Sequence, residues 1–100
     1  MQLTTEQIQI IREYLSNKPV LKAYVFGSYA RGDADENSDI DLLINLDRSK
    51  KIGLQYVAMQ LELEDLLKHK VDFAEEELLK PFVRKFVDRD KKLVYEKAVS

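Results

Sequence analysis

The stretch that decides the fold runs from Val25 to Leu46 and reads VFGSYARGDADENSDIDLLINL. It starts inside a short apolar run, Ala23 to Phe26, that stops at Gly27-Ser28. Ten residues further on, Ser38-Asp39-Ile40-Asp41 opens a second apolar run, Leu42-Leu43-Ile44. Each run reads as a strand. The segment between them is polar and turn-rich, with Gly32, Asp33, Asp35 and Asn37, and Ser28 to Arg31 can form one helical turn. A parallel crossover normally takes a dozen or more residues. The shorter link therefore makes the two strands antiparallel if they are neighbours. Gly27-Ser28, ending the first strand, then lies beside Asp39 and Asp41 at the start of the second. Strand alternation puts both carboxylates on one face and Ile40 on the other.

The flanking sequence extends this pattern. Upstream, Thr4 or Thr5 caps a helix, with Gln7 placed for a capping box. Ile8, Ile11, Leu15 and Ile10, Tyr14 recur at helical spacing, and the helix ends near Ser16-Asn17, before Pro19. Downstream, Asp47-Arg48-Ser49 is a turn, with Asp47 or Ser49 as cap for an amphipathic helix to about Lys68. Leu54, Val57, Leu61 and Tyr56, Leu63, Leu66, Leu67 are its apolar residues, and Gly53 near its start is a mild defect. Val71-Asp72-Phe73-Ala74 alternates as a third strand. The helix preceding it suits a parallel crossover, which brings Asp72 to the same sheet end as Asp39 and Asp41. Glu75-Glu76-Glu77 opens a further helical segment. Pro81 begins another, with Phe82, Val83, Phe86 and Val87 as its apolar face. Leu93-Val94-Tyr95 is a short final strand. The fold class is α/β in the α+β sense: a small mixed sheet with helices packed on it, one domain over residues 1–100.

Three carboxylates at one sheet end repel each other. Magnesium resolves that repulsion, because it takes carboxylate oxygens together with substrate phosphates. A two-metal site would stabilise both the attacking and the leaving oxygen of a phosphoryl-type displacement. The Gly27-Ser28 turn offers backbone N–H groups to phosphate, with glycine permitting close approach. Each residue also has a plainer reading. Asp39 and Asp41 suit the solvated face of an edge strand, and Asp72 suits a surface position. Ser28 can act as a helix cap, and Arg31 as a partner of Asp33 or Asp35. His69, the single histidine, reads as a loop residue. Tyr24, Tyr29, Tyr56 and Tyr95 read as packing residues, with Tyr29 nearest the turn. The segment 29–37 is expected to be mobile without ligand.

Composition sets outer limits. Net charge is −2 at pH 7, with 45% hydrophobic and 34% charged residues. An acidic balance argues against a protein whose main task is coating nucleic acid. With no cysteine, disulfides, thiolate nucleophiles and Cys-based zinc sites are excluded. No apolar run approaches the roughly 20 residues of a membrane span, and the N-terminus lacks a signal-peptide layout. The expectation is a cytoplasmic protein.

Gly27-Ser28, ten intervening residues, Asp39-Ile40-Asp41 and a later Asp72 between Val71 and Phe73 resemble the signature of the DNA polymerase β-like nucleotidyltransferase superfamily. The fuller wording GSYARGDADENSDIDLL is similar to the minimal nucleotidyltransferases, or MNT proteins. The resemblance spans about residues 20 to 96. It implies the nucleotidyltransferase (polymerase β-like) fold and transfer of AMP from ATP to a hydroxyl, releasing pyrophosphate. It implies Asp39, Asp41 and Asp72 as catalytic metal ligands for two Mg²⁺ ions, with Asp72 helping to activate the acceptor. Gly27, Ser28 and Arg31 would contact nucleotide phosphates. It further implies a helical HEPN-type toxin as partner, adenylylated on a tyrosine, with this chain as antitoxin. Two alternatives stand beside that reading. One is an antitoxin that neutralises by binding alone; the other is nucleotidyl transfer to a small molecule or RNA.

Overall fold

Thr4 begins the chain's first element. Its hydroxyl accepts from the Gln7 N–H (3.0 Å) while the Gln7 side chain accepts from the Thr4 N–H (2.9 Å). This capping box starts α1 (Thr5–Leu15), whose Ile11 and Leu15 are fully buried. The computed structural model describes residues 1–98. After α1 come β1 (Val20–Phe26), α2 (Ser28–Arg31), β2 (Ile40–Leu46), α3 (Gln55–Leu67), β3 (Val71–Glu75), a 3₁₀ turn (Glu76–Leu78), α4 (Pro81–Asp90) and β4 (Lys92–Glu96).

The four strands form one mixed sheet in the order β3-β2-β1-β4. β1 is antiparallel to both β2 and β4, and β2 is parallel to β3. The connection lengths thus set strand direction as the sequence indicates: a short link for the antiparallel pair, a helix for the parallel one. On one side of the sheet, α1 and α3 cover Val25, Ile40, Leu42, Ile44, Val71 and Val94, which join Ile11, Leu15, Met59 and Leu63 in the core. At the ~25 cal/mol per Å² of apolar burial, this one-sided core is the main source of stability. On the other side, Tyr24 pairs in register with Leu43, and the Lys91 ammonium, just past α4, lies 4.7 Å from the Tyr24 ring centre.

Three sequence expectations are corrected. Asp47 does not cap α3. Its carboxylate accepts from the Ser49 N–H (3.1 Å) and hydroxyl (2.6 Å), closing a local Asx turn. α3 starts later, with Leu54 as N-cap and no side-chain cap, so Gly53 (φ 49°) lies in the approach rather than within the helix. α3 also buries Met59, Leu63 and Leu67 and leaves Leu54, Val57, Leu61 and Leu66 exposed. It is apolar on two sides, and the sheet can cover only one. In α4 the expected inward face is likewise split. Val87 is buried, whereas Phe82 is 68% and Phe86 55% exposed.

Candidate active site

The site is assembled by strand register. Phe26, the last residue of β1, pairs with Asp41, and Asp41 pairs with Asp72 of β3. Neighbouring strands lie roughly 4.8 Å apart, so the two carboxylates stand side by side across the parallel pair. Asp39 lies just before β2, two residues from Asp41 and on the same side. Between them Ile40 is fully buried in the opposite face, and its N–H donates to the Lys70 carbonyl (2.9 Å). The carboxylates therefore share the sheet face that carries Tyr24 and Leu43, away from the main core.

Gly27 closes the site against β1. It has φ 70° and ψ −148°, a region open essentially to glycine alone. A β-carbon there would stand 2.5 Å from Asp41 Oδ2. Glycine is thus required twice, by backbone conformation and by the carboxylate lying against the turn. Its carbonyl accepts from the Ala30 and Arg31 N–H groups (3.1 Å each), which fixes α2. The N–H groups of Ser28 and Tyr29, opening that turn, have no intrahelical acceptor and are the donors available to an anion.

The electrostatics follow from this crowding. Burial, then the charges of Asp72 and Asp39, push the Asp41 carboxyl up to about 6, and Arg31 opposes the rise. The Asp72 carboxyl is also raised, first by burial, then by hydrogen-bonding contact with Asp39 and by the Asp39 charge. The cluster is short of positive charge, a deficit that a bound divalent cation would offset. Among the described residues no group of three or more His, Cys, Asp or Glu side chains is arranged to hold a metal ion by itself, so phosphate and water oxygens would have to complete any coordination here. The open set of oxygen donors fits magnesium, which binds through one or two carboxylates and keeps places for water and phosphate oxygens.

Arg31 does not touch the carboxylates. Its Nε pairs with Asp33 (3.2 Å) and its Nη1 with Asp90 at the end of α4 (3.4 Å). The Asp33 pair is the plainer alternative noted above; the Asp90 pair crosses 59 positions of sequence and had no local signal. His69 is the residue that sequence reasoning undervalued. Its Nε2 contacts the Ser38 carbonyl and lies 3.2 Å from the Tyr29 hydroxyl. The Tyr29 and His69 rings meet edge to face at 5.6 Å. This chain ties α2 and the α3–β3 loop to the residue before Asp39. Tyr29 is accordingly buried. The segment 29–37, expected to be loose, is also held locally. The Asp35 N–H donates to Ser38 Oγ (3.0 Å), the Asn37 N–H donates to Asp35 Oδ1 (2.9 Å), and Ala34 is buried.

Comparisons with known proteins bear on the family and the fold. Residues 8–94 match the model of the nucleotidyltransferase domain family. The protein adenylyltransferase MntA of Thermococcus cleftensis is 34% identical over 93 residues, covering 88% of this chain and 93% of that protein. A solved structure assigned as a minimal nucleotidyltransferase superposes with a TM-score of 0.72 at 32% identity, covering 87% of each chain. A structure of the tri-AMPylated HEPN toxin of Shewanella oneidensis in complex with its MNT antitoxin aligns with a TM-score of 0.70. It covers 95% of this chain and 74% of that one, and at 16% identity the likeness is one of fold. Among the described residues no helix is long and apolar enough to cross a membrane. A register-built carboxylate cluster, a glycine turn lying against it, the domain match and MntA-like relatives converge on one assignment: this chain belongs to the nucleotidyltransferase domain family, as an enzyme related to the MntA protein adenylyltransferases.

Proposed function

We propose that this protein transfers AMP from ATP to a tyrosine hydroxyl of a HEPN-type partner and thereby acts as its antitoxin. The observation that carries the proposal is the alignment of Phe26, Asp41 and Asp72 across three strands, with Gly27 lying against Asp41. Asp39 and Asp41 would hold Mg²⁺, with Asp72 beside them as the third carboxylate; two ions are what the family resemblance implies. Bound metal supplies the positive charge that the triphosphate and the three carboxylates lack. Ser28 and the N–H groups opening α2 orient the phosphates, and Arg31, placed three residues on, adds a cation at their edge. An Asp72 carboxylate oxygen takes the proton of the acceptor hydroxyl. The hydroxyl oxygen bonds to the α-phosphorus as the bond to the pyrophosphate oxygen breaks, and pyrophosphate leaves.

MNT-type relatives in complex with a HEPN toxin support the choice of acceptor. The test is transfer from α-labelled ATP in Mg²⁺ to a purified HEPN-type partner. Asp39→Asn/Asp41→Asn should lower the rate at least about 100-fold, the scale of losing a principal electrostatic contributor. Label transfer at the wild-type rate by that variant would overturn the site. Neutralisation of the partner by an inactive variant would instead favour an antitoxin that works by binding.

A further inference from the structure

Charge in this chain is unevenly distributed. Residues 80–92 hold six Lys and Arg against two Asp, leaving ten basic and sixteen acidic residues for the rest. Three of these six cations are engaged through their side chains. Arg84 donates to the Glu76 carbonyl, Lys91 pairs with Glu76 and Asp88, and Arg89 pairs with Asp90. On the outer face of α4, Phe82, Lys85, Phe86 and Arg89 fall at i, i+3, i+4 and i+7, which is one stripe of a helix. Arg89 lies over the Phe86 ring at 5.4 Å. Lys85 is exposed, and no ion pair of the described residues includes it. Two large, exposed aromatic rings beside unneutralised positive charge are unusual on a surface otherwise rich in carboxylates.

This stripe is continuous with the candidate site. The carboxylates occupy the sheet face of Tyr24, and Lys91 at the end of α4 covers that ring. Asp90 holds Arg31, which belongs to the turn that begins at Ser28. At 1.5 Å per residue, Phe86 stands about 6 Å and Phe82 about 12 Å along the helix from Asp90. A segment lying along α4 therefore leads to the carboxylates.

We propose that the outer face of α4 is the docking surface for the acceptor, and that its occupant is an acidic protein segment that presents its hydroxyl to the site. Phe82 and Phe86 anchor apolar or aromatic side chains, and Lys85, the cation of the stripe that no ion pair of the described residues includes, selects for carboxylates. A nucleic acid fits less well. Its affinity grows with the number of phosphates neutralised, and this stripe carries two cations, one of them already paired with Asp90.

The inference rests on the proposed protein-adenylyl transfer and is tested separately from it. The probe is a random Glu/Tyr copolymer, with a Lys/Tyr copolymer and a single-stranded RNA oligonucleotide for contrast. Fluorescence anisotropy reads binding to the full-length chain, and α-labelled ATP reads transfer. Wild type should bind and label the acidic copolymer in preference to the basic one, less tightly as salt rises. Phe82→Ala/Phe86→Ala and Lys85→Glu should each raise Kd and acceptor KM about tenfold or more, with kcat at saturating acceptor within about twofold of wild type. These side chains are exposed, so unchanged thermal melts will show that the variants fold. No binding of the acidic copolymer, equal use of the basic copolymer, tighter binding of RNA on this face, or unaltered variants would each overturn the inference. Binding that is lost in the variants, but with no transfer by wild type, would uphold the docking surface and sink the adenylyl-transfer reading.

Discussion

Gly27 and Asp41 form the tightest coupling at the residue scale. A side chain at position 27 meets both a disfavoured backbone conformation and the Asp41 carboxylate at 2.5 Å. Gly27→Ala should cost about 2 kcal/mol from backbone strain alone, lowering Tm by roughly 8–16 °C for a domain of this size, and should weaken nucleotide binding by displacing Asp41. A melt within a degree of wild type would contradict this. Asp41 itself is a stability liability in the metal-free protein. Its carboxyl is raised to about 6 in the fold, from about 3.9 in an unfolded chain. A raised carboxyl favours the protonated folded form. Its contribution is therefore full below about pH 4 and is lost as pH rises through about 6. Asp41→Asn removes the charge, and after a discount for solvent screening should stabilise the metal-free protein by about 1 kcal/mol at pH 7. That gain should vanish near pH 4 while activity is lost at every pH. Melts with chelator at both pH values check it.

At the scale of elements, α2 and α4 show why local pattern and tertiary packing diverge. α2 is four residues long, below the length at which a helix holds in isolation. It persists because Gly27 and Gly32 bound it and Tyr29 anchors it to His69. α4 has the helical spacing expected of Phe82, Val83, Phe86 and Val87, yet the sheet receives it on the Val87 side. Val87→Ala should then cost about 1–2 kcal/mol through lost burial. Phe86→Ala should stay within about 0.5 kcal/mol, as other exposed substitutions do. Equal losses in chemical denaturation would show that Phe86 is packed after all. Periodicity identifies a helix's apolar residues; it does not state which of them the sheet reaches.

Across the whole molecule, one face of the sheet carries stability and the other carries chemistry. α1 and α3 close the first face with a continuous core. The second is partly open and holds Asp39, Asp41 and Asp72 at one end, with α4 beside them. Among the described residues, one concavity of about 240 Å³, lined by Asn17, Lys18, Pro19, Lys50, Gln55 and Lys97, lies at the other end of the sheet, near the Val20–Leu46 pair. Within the candidate site Asp72 is exposed on the edge strand β3, whereas Asp39 and Asp41 are half-buried.

The sequence by itself determined the four strands, the relative directions of the first three and the carboxylates that meet at one end of the sheet; the antiparallel pairing of β4 with β1 came only from the tertiary structure. Those features rest on local properties: alternation, the conformational freedom of glycine and the number of residues available to connect two strands. It also determined the capping box at Thr4 and Gln7, which is local in the same way. Tertiary structure alone decided that His69 holds Ser38, that Asp90 rather than Asp35 is the second partner of Arg31, and that Asp47 folds onto Ser49 instead of starting α3. It also decided which sides of α3 and α4 are covered. The physical reason is that hydrogen-bond partners and burial depend on which surfaces meet after the chain has folded. Two apolar faces on one helix are equivalent in sequence until the sheet covers one of them.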